Sequence, residues 1–451
     1  MRIQAVAFRG FPPFADGEIE FPTPEVVHAG VGSAETPNLG SVHLITGQNG
    51  TGKTRLLSLF AAACGNPKEL QDRIGPDAGA YAFVRLSASG AEAVWGPIDA
   101  DGVRSGYLLP VKDSAKDSNK WFELVASKKQ QMAFGHGAVP NALAWPAAND
   151  SIALAFRGTT RAGDAKIAAM SPLQIGQLQD HLAFDRPQSE DALICQSMAN
   201  LKVGAAMEQL RRGPETNARA TDITRRLESA ITTVTGRRFA FDVSPSPEVH
   251  LKVFWGDVKM RIAALPDGLR SIIGWLVSCI AKLDAKFPEH PNPLDVPLLL
   301  LLDEPESHLH PAWQRQLVPA AQILFPNSQI FIATHSPFVI SSVNFGWIHV
   351  LRANDKGLVT ADKPIPCSPG DTYLDVVSDI LGLQEWYDPE TENLLAEFRS
   401  VRKNVLDGTD TFDNLRGKAE VIAARSASLS NMMARELRQL DRLTATGVAE
   451  S

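Results

Sequence analysis

The residues GQNGTGKT at positions 47–54 constrain this 451-residue chain more than any other part of its sequence. They match the pattern G-x-x-x-x-G-K-[ST] and lie between a short apolar run, SVHLIT, and a stretch with helical periodicity. Such a loop folds around phosphate groups, because glycine tolerates the backbone angles that turn successive N–H groups inward. The pattern therefore predicts a nucleotide-phosphate site where a buried strand ends and a helix begins.

Each position of this loop has a predicted role. Lys53 is expected to supply a positive charge to the β- and γ-phosphates, and the Thr54 hydroxyl is expected to bind Mg²⁺. The helix that follows presents the positive end of its dipole to the anion. The residues expected to contact the nucleotide are Gly47, Asn49, Gly50, Thr51, Gly52, Lys53 and Thr54. ATP and Mg²⁺ are the ligands that this arrangement predicts.

A second motif, LLLLLDEPE at 298–306, predicts a buried strand that ends in two acids. Such an ending is costly unless the acids bind a cation or perform chemistry. We expect Asp303 to hold Mg²⁺ through water and Glu304 to act as general base on the attacking water. The alternative is a strand that runs into a solvated acidic turn, and the presence of the phosphate loop disfavours it.

A third motif, QIFIATH at 329–335, predicts another parallel strand, with His335 at its end. A single histidine at the end of a strand is more often structural than catalytic. Here it follows the acidic strand at a distance suited to sensing a γ-phosphate. The predicted catalytic residues are therefore Lys53, Glu304 and His335.

The order of the elements predicts an α/β fold with a mixed central sheet, an antiparallel β lobe, a helical lobe and a C-terminal helical tail. Alternating runs within 80–110 indicate antiparallel strands, and helical periodicity covers 188–235. In the helical segment an apolar stripe is formed by Leu193, Met198, Leu201, Ala205 and Leu210. The predicted segments are the N-terminal part of the core (1–65), a β-rich lobe with an irregular insertion (66–187), the helical lobe (188–235), the C-terminal part of the core (236–350) and the tail (351–451).

The amino-acid composition excludes several classes of protein. Hydrophobic residues make up 44% of the chain and charged residues 21%, which excludes a largely disordered chain. The net charge of -7 excludes a globally basic nucleic-acid coat. Four cysteines without a CxxC pair argue against a zinc site or a disulfide scaffold. The apolar runs are too short to span a bilayer, so we expect a cytoplasmic protein with no membrane partner.

Taken in this order, the motifs resemble the ATP-binding-cassette ATPase fold of the SMC class. DEPESHLHP (303–311) resembles that family's acidic strand and D-loop, and ATHSP (333–337) resembles its histidine switch. The opening RIQAVAFRGF resembles its N-terminal hairpin, which implies that Arg9 lies near the nucleotide. The resemblance further implies that two heads enclose two ATP molecules, giving a homodimer or a higher homo-oligomer.

The segment LPDGLRS (265–271) stands where the family has its signature loop, which caps the γ-phosphate bound by the opposite protomer. Pro266 replaces the serine and Asp267 replaces a glycine, whereas Gly268 is retained. The resemblance therefore implies nucleotide contacts by Asp267 and Gly268, with Ser271 or the helix N-terminus in place of the missing serine. The alternative is an ordinary turn and N-cap before a helix at 269–287.

Two further assignments stay open. The family is expected to have a glutamine that senses Mg²⁺, and the unranked candidates are Gln174, Gln177 and Gln196. His308 and His310 could be a metal-binding pair, although the resemblance accounts for them as residues of the D-loop and of the strand–helix junction.

The chain also resembles the PtuA-type ATPase subunits of Septu and retron-associated anti-phage systems. The matching stretches are DGLRS, LLLLDEPESHLHP, ATHSPFVI and GDTYLDVVSDILGL, followed by paired helices. The helical pattern of 188–235 is too short for the long coiled coil of a chromosome-organising protein. We find no nuclease motif in the chain. The resemblance implies a sensor or regulator that acts with a separate nuclease of the HNH type.

Two other functions remain open. One is a RecF-like repair ATPase that clamps DNA, with a groove formed by basic pairs that are more often solvated surface. These pairs are Lys128–Lys129, Arg211–Arg212, Arg225–Arg226 and Arg237–Arg238. The other is a scaffold that binds ATP without hydrolysing it. The apolar stripes of the tail predict an internal core or, alternatively, a partner surface.

Overall fold

The computed structural model describes residues 1–23, 39–66, 70, 81–97, 106–111, 141–159, 161–165, 167, 190–212, 219–244, 250–367, 372–383 and 386–447. The chain forms two compact units, Met1–Leu381 and Gly382–Ser451.

The strands are β1 (Arg2–Arg9), β2 (Gly17–Glu20), β3 (Ser41–Gly47), β4 (Tyr81–Ala88), β5 (Ala91–Pro97), β6 (Gly106–Val111), β7 (Ile152–Arg157), β8 (Phe239–Ser244), β9 (His250–Trp255), β10 (Val258–Arg261), β11 (Leu298–Asp303), β12 (Ser328–Ala333), β13 (Gly346–Ala353), β14 (Val359–Ala361) and β15 (Ile365–Pro366). The α-helices are α1 (Lys53–Cys64), α2 (Glu190–Arg212), α3 (Arg219–Thr235), α4 (Asp267–Lys286), α5 (Pro311–Leu324), α6 (Pro337–Ile340), α7 (Tyr373–Asp375), α8 (Pro389–Leu406), α9 (Phe412–Ala423) and α10 (Ala427–Gly447).

The central sheet has the strand order β14–β13–β3–β12–β11–β7, and β15 also pairs with β13. The neighbours from β13 to β7 run parallel, whereas β14 and β15 are antiparallel to β13. In this register Asp303 pairs with Ala333 on one side and with Arg157 on the other. The carboxyl ends of these five parallel strands therefore lie at one edge of the sheet, where ligands of open α/β sheets bind.

Strand β11 is the centre of the hydrophobic core. Its leucines are all buried, and alternate residues point to opposite faces of the sheet. Leu298, Leu300 and Leu302 belong to one apolar cluster, and Leu299 and Leu301 belong to another. The prediction of a central parallel strand from a continuous leucine run is confirmed.

Two antiparallel sheets flank the central one. The first has the order β2–β1–β4–β5–β6, and the second has the order β10–β9–β8 with a turn at Gly256–Asp257. The Gln329 amide ties the first sheet to β12, because it accepts a hydrogen bond from the Ile3 N–H and donates one to the Ile3 carbonyl. The predicted fold class, a mixed central sheet with an antiparallel lobe and several helices, is confirmed.

The helical lobe consists of α2 and α3. In α2 the side chains of Met198, Leu201 and Ala205 are buried, as predicted for the apolar stripe. The stripe was also expected to include Leu210, and this expectation is wrong, because Leu210 is 84% exposed. The last turns of α2 extend beyond the packing core, and Met207 is exposed there as well.

The second compact unit contains α8, α9 and α10. The predicted stripes form an internal core, as eight apolar side chains of these helices are buried against each other. This core consists of Leu395, Phe398, Leu415, Ala419, Ile422, Leu429, Met433 and Leu440. Within the described residues, none of the helices combines the length and the apolar character that crossing a bilayer requires.

Candidate nucleotide site

The phosphate loop connects β3 to α1 at the ligand edge of the central sheet. Gly47, Gly50 and Gly52 have φ angles of 144°, 84° and 85°, values that residues with side chains rarely adopt. At Gly47 a side chain would also overlap the Leu351 carbonyl of the neighbouring strand. Gly52 is the N-cap of α1 in a left-handed conformation, so the helix begins at Lys53. The glycine spacing is thus required by the turn itself.

Lys53 lies buried beneath this loop. Its Nζ donates hydrogen bonds of 3.0 Å to the carbonyl oxygens of Gly47 and Gln48. Burial lowers the pKa of Lys53 to about 8, and the nearby carboxylates of Glu304 and Asp303 oppose that shift. The loop therefore holds an ammonium group that loses its proton at a lower pH than an exposed lysine does.

Asp303 ends β11 directly opposite the start of α1. Its Oδ1 accepts a hydrogen bond from the Thr54 hydroxyl at 3.0 Å, and its Oδ2 accepts one from Arg157 Nε at 3.2 Å. Sequence reasoning did not identify Arg157. The run SIALAFRG (151–158) is typical of a strand, but only the pairing of β7 with β11 places this guanidinium beside Asp303.

Glu304 has a left-handed backbone, with φ at 49°. Its N–H donates to the Ala333 carbonyl at 2.9 Å, and its own carbonyl accepts from the Ser307 N–H at 3.0 Å. The turn also lies against Gly158, where a Cβ atom would overlap the Glu304 carbonyl. These contacts hold the half-exposed Glu304 side chain at the ligand edge.

His335 follows β12 and faces the same carboxylate. Its Nε2 lies 3.9 Å from Glu304 Oε1. Burial lowers the pKa of His335, as does the charge of Lys53, whereas Glu304 and Asp303 raise it. The lowered pKa favours the neutral imidazole, which can donate a hydrogen bond from a ring N–H to a phosphate oxygen.

These groups surround a cavity of about 520 Å³. The lining residues are Pro13, Asn49, Gly50, Gly52, Lys53, Thr54, Arg55, Glu304 and His335. The structure thus brings the three predicted catalytic side chains together with most of the phosphate loop. Pro13 and Arg55 were not identified from the sequence. Arg9, expected near the nucleotide, is exposed at the end of β1 and is not among the lining residues.

Two oxygen groups of the kind that bind Mg²⁺ lie side by side at the start of α1. Mg²⁺ prefers oxygen ligands and is usually held by one or two protein groups together with phosphates and waters. The Thr54 hydroxyl and the Asp303 carboxylate are adjacent at the cavity, so they fit this role. Elsewhere, across the described ranges, no group of three or more His, Cys, Asp or Glu side chains could hold a metal ion.

The predicted signature loop lies outside this cavity. Pro266 is the N-cap of α4, and Asp267 and Gly268 form its first turn, two residues earlier than expected. Asp267 pairs with Arg161 at 2.9 Å. At Gly268 a Cβ atom would lie 2.7 Å from the His308 carbonyl, so the retained glycine allows α4 to pack against the acidic turn.

Ser271 does not replace the missing signature serine. It is fully buried, and its hydroxyl donates to the Gly158 carbonyl at 2.6 Å. The side chain therefore packs inside the molecule and is not presented to a ligand.

The structure gives the surroundings of Gln196 and of the two histidines whose roles the sequence left open. Gln174 and Gln177 lie outside the described residues, and Gln196 donates to Asn200 Oδ1 within α2. His310 is the N-cap of α5, where its Nδ1 accepts from the Ala312 N–H. His308 Nε2 lies 3.4 Å from Arg161 Nη2. Both histidines therefore have structural partners.

Three of the four basic pairs can be placed. Lys128–Lys129 lies outside the described residues, and Arg211 is exposed near the end of α2. Arg226 bonds Asp295 and the Leu324 carbonyl, and Arg225 pairs with Asp222. The Arg237 guanidinium stacks over the Trp255 ring. The side chains of Arg225, Arg226 and Arg237 thus contact other groups of the same chain.

A family model matches part of this chain, and solved structures are similar to it. A family model described as "AAA domain, putative AbiEii toxin, Type IV TA system" matches residues 208–341. Among solved structures, the chain is similar to the SMC head domain from Thermotoga maritima, with a TM-score of 0.39 and 12% identity over 81% of this chain and 99% of that one. An Smc head bound to the C-winged helix domain of ScpA has a TM-score of 0.43 and 12% identity, over 81% and 98%.

Two curated relatives share part of the sequence. "Retron Vc95 probable ATPase" from Vibrio cholerae is 30% identical over 113 residues, which cover 25% of this chain and 22% of the relative. The Septu protein PtuA from Bacillus thuringiensis is 26% identical over 140 residues, which cover 30% and 35%. The chain thus spans well under half of the length of either relative. Over this part of its sequence it is related to PtuA and to the retron ATPase, which confirms the resemblance inferred from its motifs.

Proposed function

We propose that this chain binds ATP with Mg²⁺ and hydrolyses it. The observation that carries the proposal is the convergence of Lys53, Glu304 and His335 on one cavity, beside the hydrogen bond between Thr54 and Asp303. Separate segments of the chain contribute these groups. Each lies at the carboxyl end of a parallel strand or at the helix start that follows it.

The residues divide the work of phosphoryl transfer to water. Glu304 orients the attacking water and accepts its proton, because it is the half-exposed carboxylate that lines the cavity. Lys53 stabilises the negative charge that develops on the phosphates. Neutral His335 hydrogen-bonds the γ-phosphate. Thr54 and Asp303 would hold Mg²⁺, which neutralises phosphate charge when it is bound.

We further propose that the active form is a homodimer or higher homo-oligomer, in which each copy completes its partner's site. Asp267 and Gly268 would contact the nucleotide held by the second copy. Two observations support this: neither residue lines the cavity of its own chain, and the Asp267 side chain is half-exposed. Because no serine occupies the signature position, the contact would come from backbone N–H groups at the start of α4.

In the cell, we propose, the protein is the sensor or regulator subunit of a cytoplasmic anti-phage system and controls a separate nuclease of the HNH type. The similarity to PtuA and to the retron ATPase supports this role. DNA would then be a ligand of the assembly.

Two substitutions test the ATPase assignment. Lys53→Ala should lose nucleotide binding, because it removes the charge beneath the loop. Glu304→Gln should bind ATP normally but lose turnover by a factor of about 100 or more. Fluorescent-nucleotide titration and phosphate release measure the two effects. Tight ATP binding by Lys53→Ala, or an unchanged rate in Glu304→Gln, would contradict the assignment.

The partner is tested with the same variants. Tagged Glu304→Gln protein, purified from its native host with ATP, should retain a nuclease in a fixed molar ratio, as mass spectrometry would show. Lys53→Ala protein is the matched control and should retain less of it. Recovery of DNA-repair factors, or of the protein alone in both preparations, would argue against the defence role.

A further inference from the structure

Glu306 is a buried carboxyl group to which the proposed reaction assigns no role. The residue is only 7% exposed and does not line the nucleotide cavity. One oxygen, Oε1, accepts a hydrogen bond from the Thr334 hydroxyl. The other oxygen, Oε2, has no hydrogen-bond partner among the described residues.

This carboxyl group joins two turns that carry catalytic side chains. Glu306 lies two residues after Glu304 in the turn that follows β11, and its partner Thr334 begins the turn that follows β12. A backbone bond from the Glu304 N–H to the Ala333 carbonyl joins the same two strand ends. That bond ends one residue before Thr334, so the Glu306 carboxyl extends the link between the two turns to the residue that directly precedes His335.

A second set of hydrogen bonds supports the bridge. Thr334 Oγ1 accepts from the Ser336 N–H at 3.0 Å, and the Ser336 hydroxyl donates to Gln314 Oε1 at 2.5 Å. Gln314 Nε2 in turn donates to the Leu309 carbonyl at 2.9 Å. Leu309 lies three residues after Glu306, so this bond connects the network to the acidic turn again. Glu306, Thr334, Ser336 and Gln314 thus form a polar network that ties both turns to α5.

We propose that Glu306 is a positioning residue for ATP hydrolysis, which holds the His335 backbone against the acidic turn so that the imidazole faces Glu304 and the γ-phosphate. The inference rests on the proposed function of the site.

Retaining a carboxyl group here is unfavourable on stability grounds alone. A buried carboxyl with one unpartnered oxygen is destabilising relative to a well-packed apolar side chain. Burial raises the pKa of Glu306 to about 7, which reflects the same penalty. The presence of a carboxyl group here is explained if its Oε1 atom must accept the hydrogen bond that fixes the turn bearing His335.

The test compares Glu306→Ala with Glu306→Gln and Thr334→Val. Glu306→Ala removes the acceptor and should lower kcat about tenfold or more, while the Kd for ATP changes by less than about twofold. Thr334→Val removes the donor at the other end and should have a similar effect. Glu306→Gln should recover most of the rate, because its amide oxygen can accept the same bonds. The double variant Glu306→Ala/Thr334→Val should be no slower than either single variant.

A second readout does not depend on turnover. The imidazole NMR signal of His335, assigned by its loss in His335→Ala, should shift in Glu306→Ala and return in Glu306→Gln. The inference is overturned if this signal does not move, if Glu306→Ala keeps the wild-type kcat, or if ATP affinity falls as much as kcat. It is overturned as well if Glu306→Gln fails to recover the rate. Absence of ATP hydrolysis by the wild-type protein would instead contradict the proposed function.

Discussion

At the scale of single residues, the site depends on groups held in unfavourable states. Glu304 has a left-handed backbone, which costs a residue with a side chain about 1–3 kcal/mol. Its bonds to the Ala333 carbonyl and the Ser307 N–H offset that strain. Lys53 is held in a buried position that lowers its pKa. Both features keep a reactive group at the cavity, and both give it properties that can be measured.

The lowered pKa of Lys53 predicts a pH dependence of ATP binding. The ammonium form binds phosphate, so affinity should be flat below pH 8, where the amine is already protonated. Above about pH 8 the free protein must take up a proton to bind ATP, and affinity should fall by up to about tenfold per pH unit. Titrations across this pH range and into the alkaline region measure this effect.

Lys53→Arg is the control for that titration, because a guanidinium stays charged throughout this range. Its affinity, whatever its absolute value, should show no decline as the pH is raised. A wild-type affinity that stays constant well above pH 8 would show that Lys53 does not titrate in this window.

At the scale of elements, the edge strand β7 supports the acidic turn. Arg157, its last residue, bonds Asp303, and Gly158 follows directly. The Gly158 N–H donates to the Asp303 carbonyl, and the Gly158 carbonyl accepts from Ser271 of α4. The end of β7 thus connects the strand that carries the acids to the helix that begins at the predicted signature loop.

Gly158→Ala should disturb this connection. A Cβ atom would overlap the Glu304 carbonyl, so the acidic turn must move, and overpacking of this kind costs about 1–3 kcal/mol. We expect a lower melting temperature and reduced ATP turnover. Gly17→Ala is the matched control, because the space around Gly17 is open and that variant should behave as wild type. Wild-type turnover in Gly158→Ala would show that the turn tolerates displacement.

At the scale of the whole molecule, the predicted signature loop is separated from the cavity of its own chain. A loop that acts on a partner's nucleotide must lie outside its own site, and the first turn of α4 meets this condition. The contact of Gly268 with the His308 backbone joins this loop to the turn that bears Glu304. Association of two copies is therefore expected to respond to the state of the nucleotide.

We expect ATP to double the mass of the Glu304→Gln protein from 48.8 kDa in sedimentation experiments. Asp267→Pro, combined with Glu304→Gln, removes the backbone N–H at the first position of α4, where a helix tolerates proline. It should weaken this association while the ATP affinity of the single copy stays the same, because Asp267 does not line that cavity. Association that is independent of ATP, or unaffected by Asp267→Pro, would contradict the proposed dimer.

Elements with local signals could be predicted from the order of residues along the chain. The phosphate loop, the leucine strand and His335 at the end of β12 could all be predicted, because glycine spacing, strand periodicity and strand ends depend on neighbouring residues. Helical periodicity likewise predicted the apolar stripes of α8 and α10, but it left open whether they form an internal core or a partner surface, and the structure shows the core.

Contacts between groups that are distant along the chain could not be predicted without the folded structure. The bond between Arg157 and Asp303 depends on β7 pairing with β11, across 146 residues of chain. The link between Glu306 and Thr334 depends on β12 lying next to β11, and the burial of Ser271 depends on how α4 packs. Strand order and packing arise from the whole core, so no local pattern contains them.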